Sequence, residues 1–144
     1  MTVESEMYAS VTRFIDQRFP VGWGGAAIIR TADDRHLTSV ALVSANGSAG
    51  LCMETGAMCE AQKLNANVTH SLCVARDDEH SPFKVLSPCG ICQERLLYWG
   101  EEVLVGITTA DGALLFKRLG EINPDSWTRA YRYSELEHFG EGHS

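Results

Sequence analysis

The sequence predicts an α/β protein in which helices cover a sheet. Stretches with apolar residues at three- and four-residue spacing alternate with short apolar runs at strand spacing, so that after an N-terminal helix the elements read ββαβαβ and then a last strand. Gly, Pro, Asn and Asp stand between most of the runs, where turns need them. At 144 residues, 44% of them hydrophobic, the chain fits one domain over 1–144. A chain of that size is expected to bury roughly 68–70% of its unfolded surface.

The elements follow in order. Val3, Met7, Val11, Phe14, Ile15 and Phe19 recur at helical spacing with charged residues between them, and Pro20 ends that helix. The turn Gly22-Trp23-Gly24-Gly25 leads into a strand over 26–30, and a polar turn over 31–35 leads into a second over 37–43, a hairpin. A small-residue loop, 44–50, delivers the chain to Cys52. From there to about Asn67, Met53, Ala57, Met58, Ala61 and Leu64 mark a second helix with Cys52 and Glu54 in its first turn. A strand over 68–75 and a charged loop over 76–81 follow. Pro88 precedes a third helix carrying Cys89, Cys92, Leu96, Leu97 and Trp99, and Gly100 stops it. Strands over 103–107 and 113–116 flank a turn at Asp111-Gly112, and 124–137 holds a last turn or helix.

Composition excludes several functions. The formal charge is −7 and no cluster of Lys or Arg interleaves with aromatics, so a nucleic acid polymer is not expected as a partner. The N-terminus is acidic and polar, and no apolar run approaches the ~20 residues of a membrane span. A soluble, cytoplasmic protein without membrane contact is the expectation.

The chemistry lies in Cys52-Met53-Glu54 and Pro88-Cys89-Gly90-Ile91-Cys92. A helix start stabilises a thiolate, and three thiolates leave one position of a tetrahedral zinc site open, as catalytic sites do. Glu54, two residues from a ligand, is placed to handle protons there. Other readings are a thioredoxin-like Cys pair, plain core cysteines, or a closed structural zinc site with His70, His80 or Cys73 as fourth ligand. Cys59 and Cys73 read as core residues. Trp23 either stacks on a ring or packs on the sheet.

These residues resemble the cytidine deaminase superfamily, whose signature is H-x-E or C-x-E followed by P-C-x-x-C. Gly24-Gly25-Ala26-Ala27-Ile28 is similar to a V-G-A-A-L strand of its small homotetrameric branch, Cys52-Met53-Glu54 to C-A-E, and Ser87-Pro88-Cys89-Gly90-Ile91-Cys92 to P-C-G-x-C. The resemblance implies a three-layer α/β/α fold with a five-stranded mixed sheet, a zinc ion on Cys52, Cys89 and Cys92, Glu54 as proton shuttle, and a homotetramer. It also implies the activity: a cytosine-ring nucleoside or analogue becomes the uracil form and ammonia is released.

Departures shape the substrate expectation. Thr55 follows the glutamate where the nucleoside enzymes usually carry Arg, and Cys92-Gln93-Glu94 stands where they carry C-R-Q. Ala41 and Val43 fall where an Asn-x-Glu would hold ribose hydroxyls. A site without those groups fits a modified cytosine nucleoside, as in the blasticidin S deaminases, which share C-A-E without the Arg. Asn46, Ser48 and Trp23 are the candidate substrate contacts. A non-catalytic zinc-containing ligand-binding protein on the same fold is the alternative.

Overall fold

Helix α1, Val3–Arg18, opens the chain because Thr2 caps it: the Thr2 hydroxyl accepts the Ser5 amide at 3.1 Å. Glu4 and Glu6 lie in its first turn and Arg18 in its last, matching the helix dipole. Met7, Val11 and Ile15, four residues apart, form its fully buried stripe. This computed structural model describes residues 1–140; the expected domain end at Ser144 lies outside the described residues.

The stripe packs on a mixed sheet of β1 (Gly24–Thr31), β2 (His36–Ser39), β3 (Val68–Arg76), β4 (Lys84–Leu86), β5 (Leu104–Gly106) and β6 (Phe116–Arg118). The strand order is β2-β1-β3-β5-β6, with β4 paired to the far half of β3. Only β3 and β5 run parallel, and the chain between them holds α3 (Gly90–Leu96). Alternation along β1 sorts the layers. Ala26 and Ile28 join Met7, Val11, Ile15, Leu72 and Val74 under α1. Ile29 faces the other way, into a core with Ala57, Met58, Ala61, Cys92 and Leu96 from α2 (Thr55–Lys63) and α3. The three-layer α/β/α expectation holds.

The sheet has six strands rather than five. Residues 84–86 sit between Phe83 and the Ser87-Pro88 segment, too short a run for a period-2 signal, and gain their strand geometry from the edge of β3. The second strand ends at Ser39 instead of Val43. Beyond it the chain leaves β1, the Ser39 hydroxyl bonds the Met53 carbonyl, and Leu42 pairs with Leu51 to close the loop between them. Ala41 therefore lies on the irregular segment before that loop and Val43 on the loop, neither of them on a strand.

Helix α2 begins at Thr55, with Cys52–Glu54 in the turn before it, and stops at Lys63; Asn65 in the left-handed region, φ 51°, ends the element four residues earlier than expected. Cys59 is exposed, not core: at about 100° per residue it turns away from the buried Met58 beside it. The last hairpin pairs at Phe116–Arg118, because Thr109, Asp111 and Ala113 bond among themselves in a wider loop. A short helix α4, Leu119–Ile122, follows, and 124–137 contains two 3₁₀ turns, Trp127–Ala130 and Tyr133–Glu135. Among the described residues no helix is long and apolar enough to cross a membrane.

Candidate metal centre

Two helix starts on the same side of the sheet bring the cysteines together. Cys52 lies three residues ahead of α2, where its carbonyl accepts the Thr55 amide at 3.1 Å. Cys89 is the residue that begins α3, its carbonyl accepting the Gln93 amide at 2.8 Å, and Cys92 follows one turn later, fully buried. The segment ahead of Cys89 is braced from the sheet. Thr108 accepts the Ser87 amide at 3.0 Å, donates its own amide to the Ser87 hydroxyl at 2.8 Å, and donates its hydroxyl to the Val85 carbonyl at 3.0 Å. The Gln93 side chain donates to the Pro88 carbonyl at 2.8 Å.

The sulfurs of Cys52, Cys89 and Cys92 all lie within 4.8 Å of one another, and Cys52 Sγ is 3.3 Å from Cys89 Sγ. Tetrahedral Zn–S bonds of ~2.3 Å set ligand sulfurs roughly 3.8 Å apart, so the trio fits such an ion. Among the described residues no histidine and no carboxylate joins the three-sulfur group, which leaves one coordination position without a protein ligand. The closed arrangement with His70, His80 or Cys73 as a fourth ligand is not the one present.

The thiols are unequal. Burial pushes the Cys89 thiol up, but the backbone amides of Cys92 and Ile91 and the neighbouring thiols outweigh it, leaving Cys89 below its ordinary value. Cys52 is raised, first by its hydrogen bond to Cys89 and then by burial. Cys92 is raised by burial and next by the negative charges of Glu54 and the other two cysteines. Cys89 thus ionises first, and a divalent cation is what allows the other two to follow.

Glu54 is buried, 4% exposed, at the start of α2. Burial first, and then the Glu54 charge, raise the thiol of Cys73 on β3. Cys73 therefore stays protonated beside the carboxylate. Gly25 on β1 approaches the same turn, since a Cβ there would come within 2.8 Å of Met53 Sδ and of the Trp23 ring. Trp23 is half exposed and meets Phe19 edge-on, with ring centroids 5.9 Å apart. Asn46 and Ser48 are exposed on the preceding loop, where the Asn46 side-chain oxygen accepts the Ser48 amide at 3.1 Å.

No family model matches the chain. Its sequence is 54% identical to that of a solved cytidine deaminase from Bacillus anthracis, the alignment covering 90% of this chain and 93% of that one at a TM-score of 0.89. The chain belongs to the cytidine deaminase family. Cytidine deaminases from Mycobacterium tuberculosis (22% identity, 88% of this chain and 98% of that one, TM-score 0.67) and Burkholderia pseudomallei (18%, 88% and 100%, TM-score 0.66) share its fold.

Two residues at this deaminase-family site carried no signal in the motifs. Cys73 had no partner spacing, because its nearness to Glu54 crosses from strand to turn. Arg95, one turn beyond Cys92, donates Nη1 to the Thr55 hydroxyl at 2.7 Å, a contact between α3 and the first residue of α2.

Proposed function

We propose that the chain is a zinc-dependent hydrolytic deaminase that converts a cytosine-ring nucleoside or close analogue to the uracil form with release of ammonia. The observation that carries this reading is the convergence of Cys52, Cys89 and Cys92, with an open fourth position and a buried Glu54, in a chain of this family.

In this reading the three cysteines hold zinc, which when bound supplies Lewis-acid activation of water. The residues of the chain do the rest. Glu54 takes a proton from the attacking water and delivers it to the ring nitrogen as the C–O bond forms, then takes the second proton from the added hydroxyl and delivers it to the leaving amine, so that the carbonyl forms, the exocyclic C–N bond breaks and ammonia departs. The burial of Glu54 keeps bulk water from competing for the transferred proton. Trp23, whose ring borders Gly25 as Met53 does, is the candidate to stack on the ring. Asn46 and Ser48, exposed on the loop that leads to Cys52, are the candidate polar contacts.

A modified cytosine nucleoside of the blasticidin S type is the finer reading. It is supported by Ala41 and Val43, beyond the end of β2, whose side chains offer no hydrogen bond to a ribose and of which Val43 is 88% exposed. A homotetramer is supported by the apolar side chains left at the surface, including Trp23, Leu42, Leu51, Ile91 and Trp127. It is also supported by a cleft of about 1410 Å³ lined in part by Leu51, Met58, Trp127 and Tyr131. None of the three site cysteines and not Glu54 line that cleft, so it is read as a packing surface and not as the substrate pocket.

The test is an ammonia-release assay over cytidine, deoxycytidine, cytosine, 5-substituted cytidines and blasticidin S. Turnover of at least one cytosine nucleoside is expected. Zinc binding with no turnover of any would favour the non-catalytic ligand-binding alternative.

A further inference from the structure

The charge in the site does not close on the residues that the motifs select. Three thiolates and one zinc ion carry −1, Glu54 adds another −1, and the residue after it is Thr55, which is neutral. Thr55 is buried, 8% exposed, and its hydroxyl receives Arg95 Nη1 at 2.7 Å. Arg95 stands three residues after Cys92 on α3, and Thr55 three residues after Cys52 at the start of α2. On α3 that spacing sets Arg95 one turn from Cys92, with Cβ atoms about 5–6 Å from each other, and Thr55 is tied to Cys52 by its amide on the Cys52 carbonyl at 3.1 Å. The guanidinium therefore bridges the two elements that carry the cysteines.

The direction of this contact is informative. Arg95 departs from the last turn of its own helix, where a cation is favoured. Its head, however, arrives at the first turn of α2, where the helix dipole disfavours positive charge. The anions at that turn are Glu54 and, when ionised, the Cys52 thiolate. A cation held against a helix start is stabilised there by such charge, and the Thr55 hydroxyl is the acceptor that holds it in place.

We propose that Arg95 is a positioning residue of the metal site, which supplies through Thr55 the positive charge that stabilises the thiolate cluster and holds the starts of α2 and α3 together. This rests on the zinc reading above. The guanidinium is hydrogen-bonded but Arg95 as a whole is exposed, so its influence is screened by salt. Outer groups that support metal ligands typically contribute 10–100-fold in metal affinity, and the exposed position sets the expectation at the low end, about tenfold.

The experiment measures zinc affinity by competition with a chromogenic chelator, at low and at high salt, in the wild type and in Arg95→Lys, Arg95→Gln, Arg95→Met and Thr55→Val, with circular dichroism to establish that each is folded. Arg95→Gln keeps N–H donors but loses the charge, and Arg95→Lys keeps the charge. Gln and Met are expected to weaken zinc binding about tenfold at low salt, Lys to restore most of it, and the difference to shrink at 1 M salt. Thr55→Val, which releases the guanidinium, is expected to fall between Lys and Met. If folded Gln and Met variants hold zinc as tightly as the wild type, or if Gln rescues as well as Lys, the charge role is overturned while the zinc reading stands. A wild type that takes up no zinc would overturn the zinc reading, and this proposal with it.

Discussion

Cys52 Sγ lies 3.3 Å from Cys89 Sγ although 37 positions separate the two residues. One thiol reaches the point from the turn before α2 and the other from the start of α3, so the site exists only when both helices are docked on the sheet. Metal binding and folding are coupled under those conditions.

Cys89→Ser removes the thiol that ionises most readily. About one zinc per chain is expected in the wild type and a fraction of that in the variant, measured by elemental analysis after gel filtration. The variant is also expected to gain less thermal stability than the wild type when zinc is added, since ligand binding to the folded state alone is what raises the transition.

Thr108→Val keeps shape and burial but removes the hydroxyl that accepts the Ser87 amide and donates to the Val85 carbonyl. It leaves the Ser87-Pro88 segment less firmly placed. Zinc affinity is expected to fall by roughly tenfold, with kcat/KM falling alongside, while the helical circular dichroism is unchanged.

Gly25→Ala tests the close approach at the front of the site. The new methyl would meet Met53 Sδ and the Trp23 ring at 2.8 Å, and both side chains have to move. A destabilisation of about 1–3 kcal/mol is expected from overpacking, read from the denaturation midpoint. KM is expected to rise more than kcat falls, because Trp23 is displaced while Glu54 is not.

His70 gives the fold a pH dependence. Burial lowers its imidazole below the ordinary 6.5, with Glu4 opposing and Arg30 and His36 adding to the shift. The unfolded chain therefore binds the proton more readily than the folded one, and stability is present above that ordinary value and is lost as pH falls toward the lowered folded value. A denaturation series from neutral to mildly acidic pH is expected to show a decline that His70→Gln flattens.

The site was more legible in the sequence than the edges of the sheet. Cys52, Glu54, Cys89 and Cys92 announce themselves by short spacings, because consecutive ligands on one helical turn must be neighbours in the chain. Strand ends do not: Val40 to Val43 have strand composition, yet the Ser39–Met53 and Leu42–Leu51 contacts pull them away, and no local pattern encodes those partners. Lys84–Leu86 is a strand only because β3 offers an edge. Cys59 looked like core on composition and faces outward because its place on α2 is set by Ala57, Met58 and Ala61. Arg95 carries no local signal for a similar reason, since its meaning depends on Thr55, 40 positions away on another helix.

The central claim is that Glu54 moves the protons while the cysteines hold the metal. Glu54→Gln, measured for zinc content and for the rate of ammonia release on the best cytosine substrate, separates the two. The variant is expected to bind about one zinc per chain and to lose turnover by ~10²–10⁴-fold, the range for removal of a general acid–base group. A zinc-replete Gln variant with unchanged kcat would contradict the account.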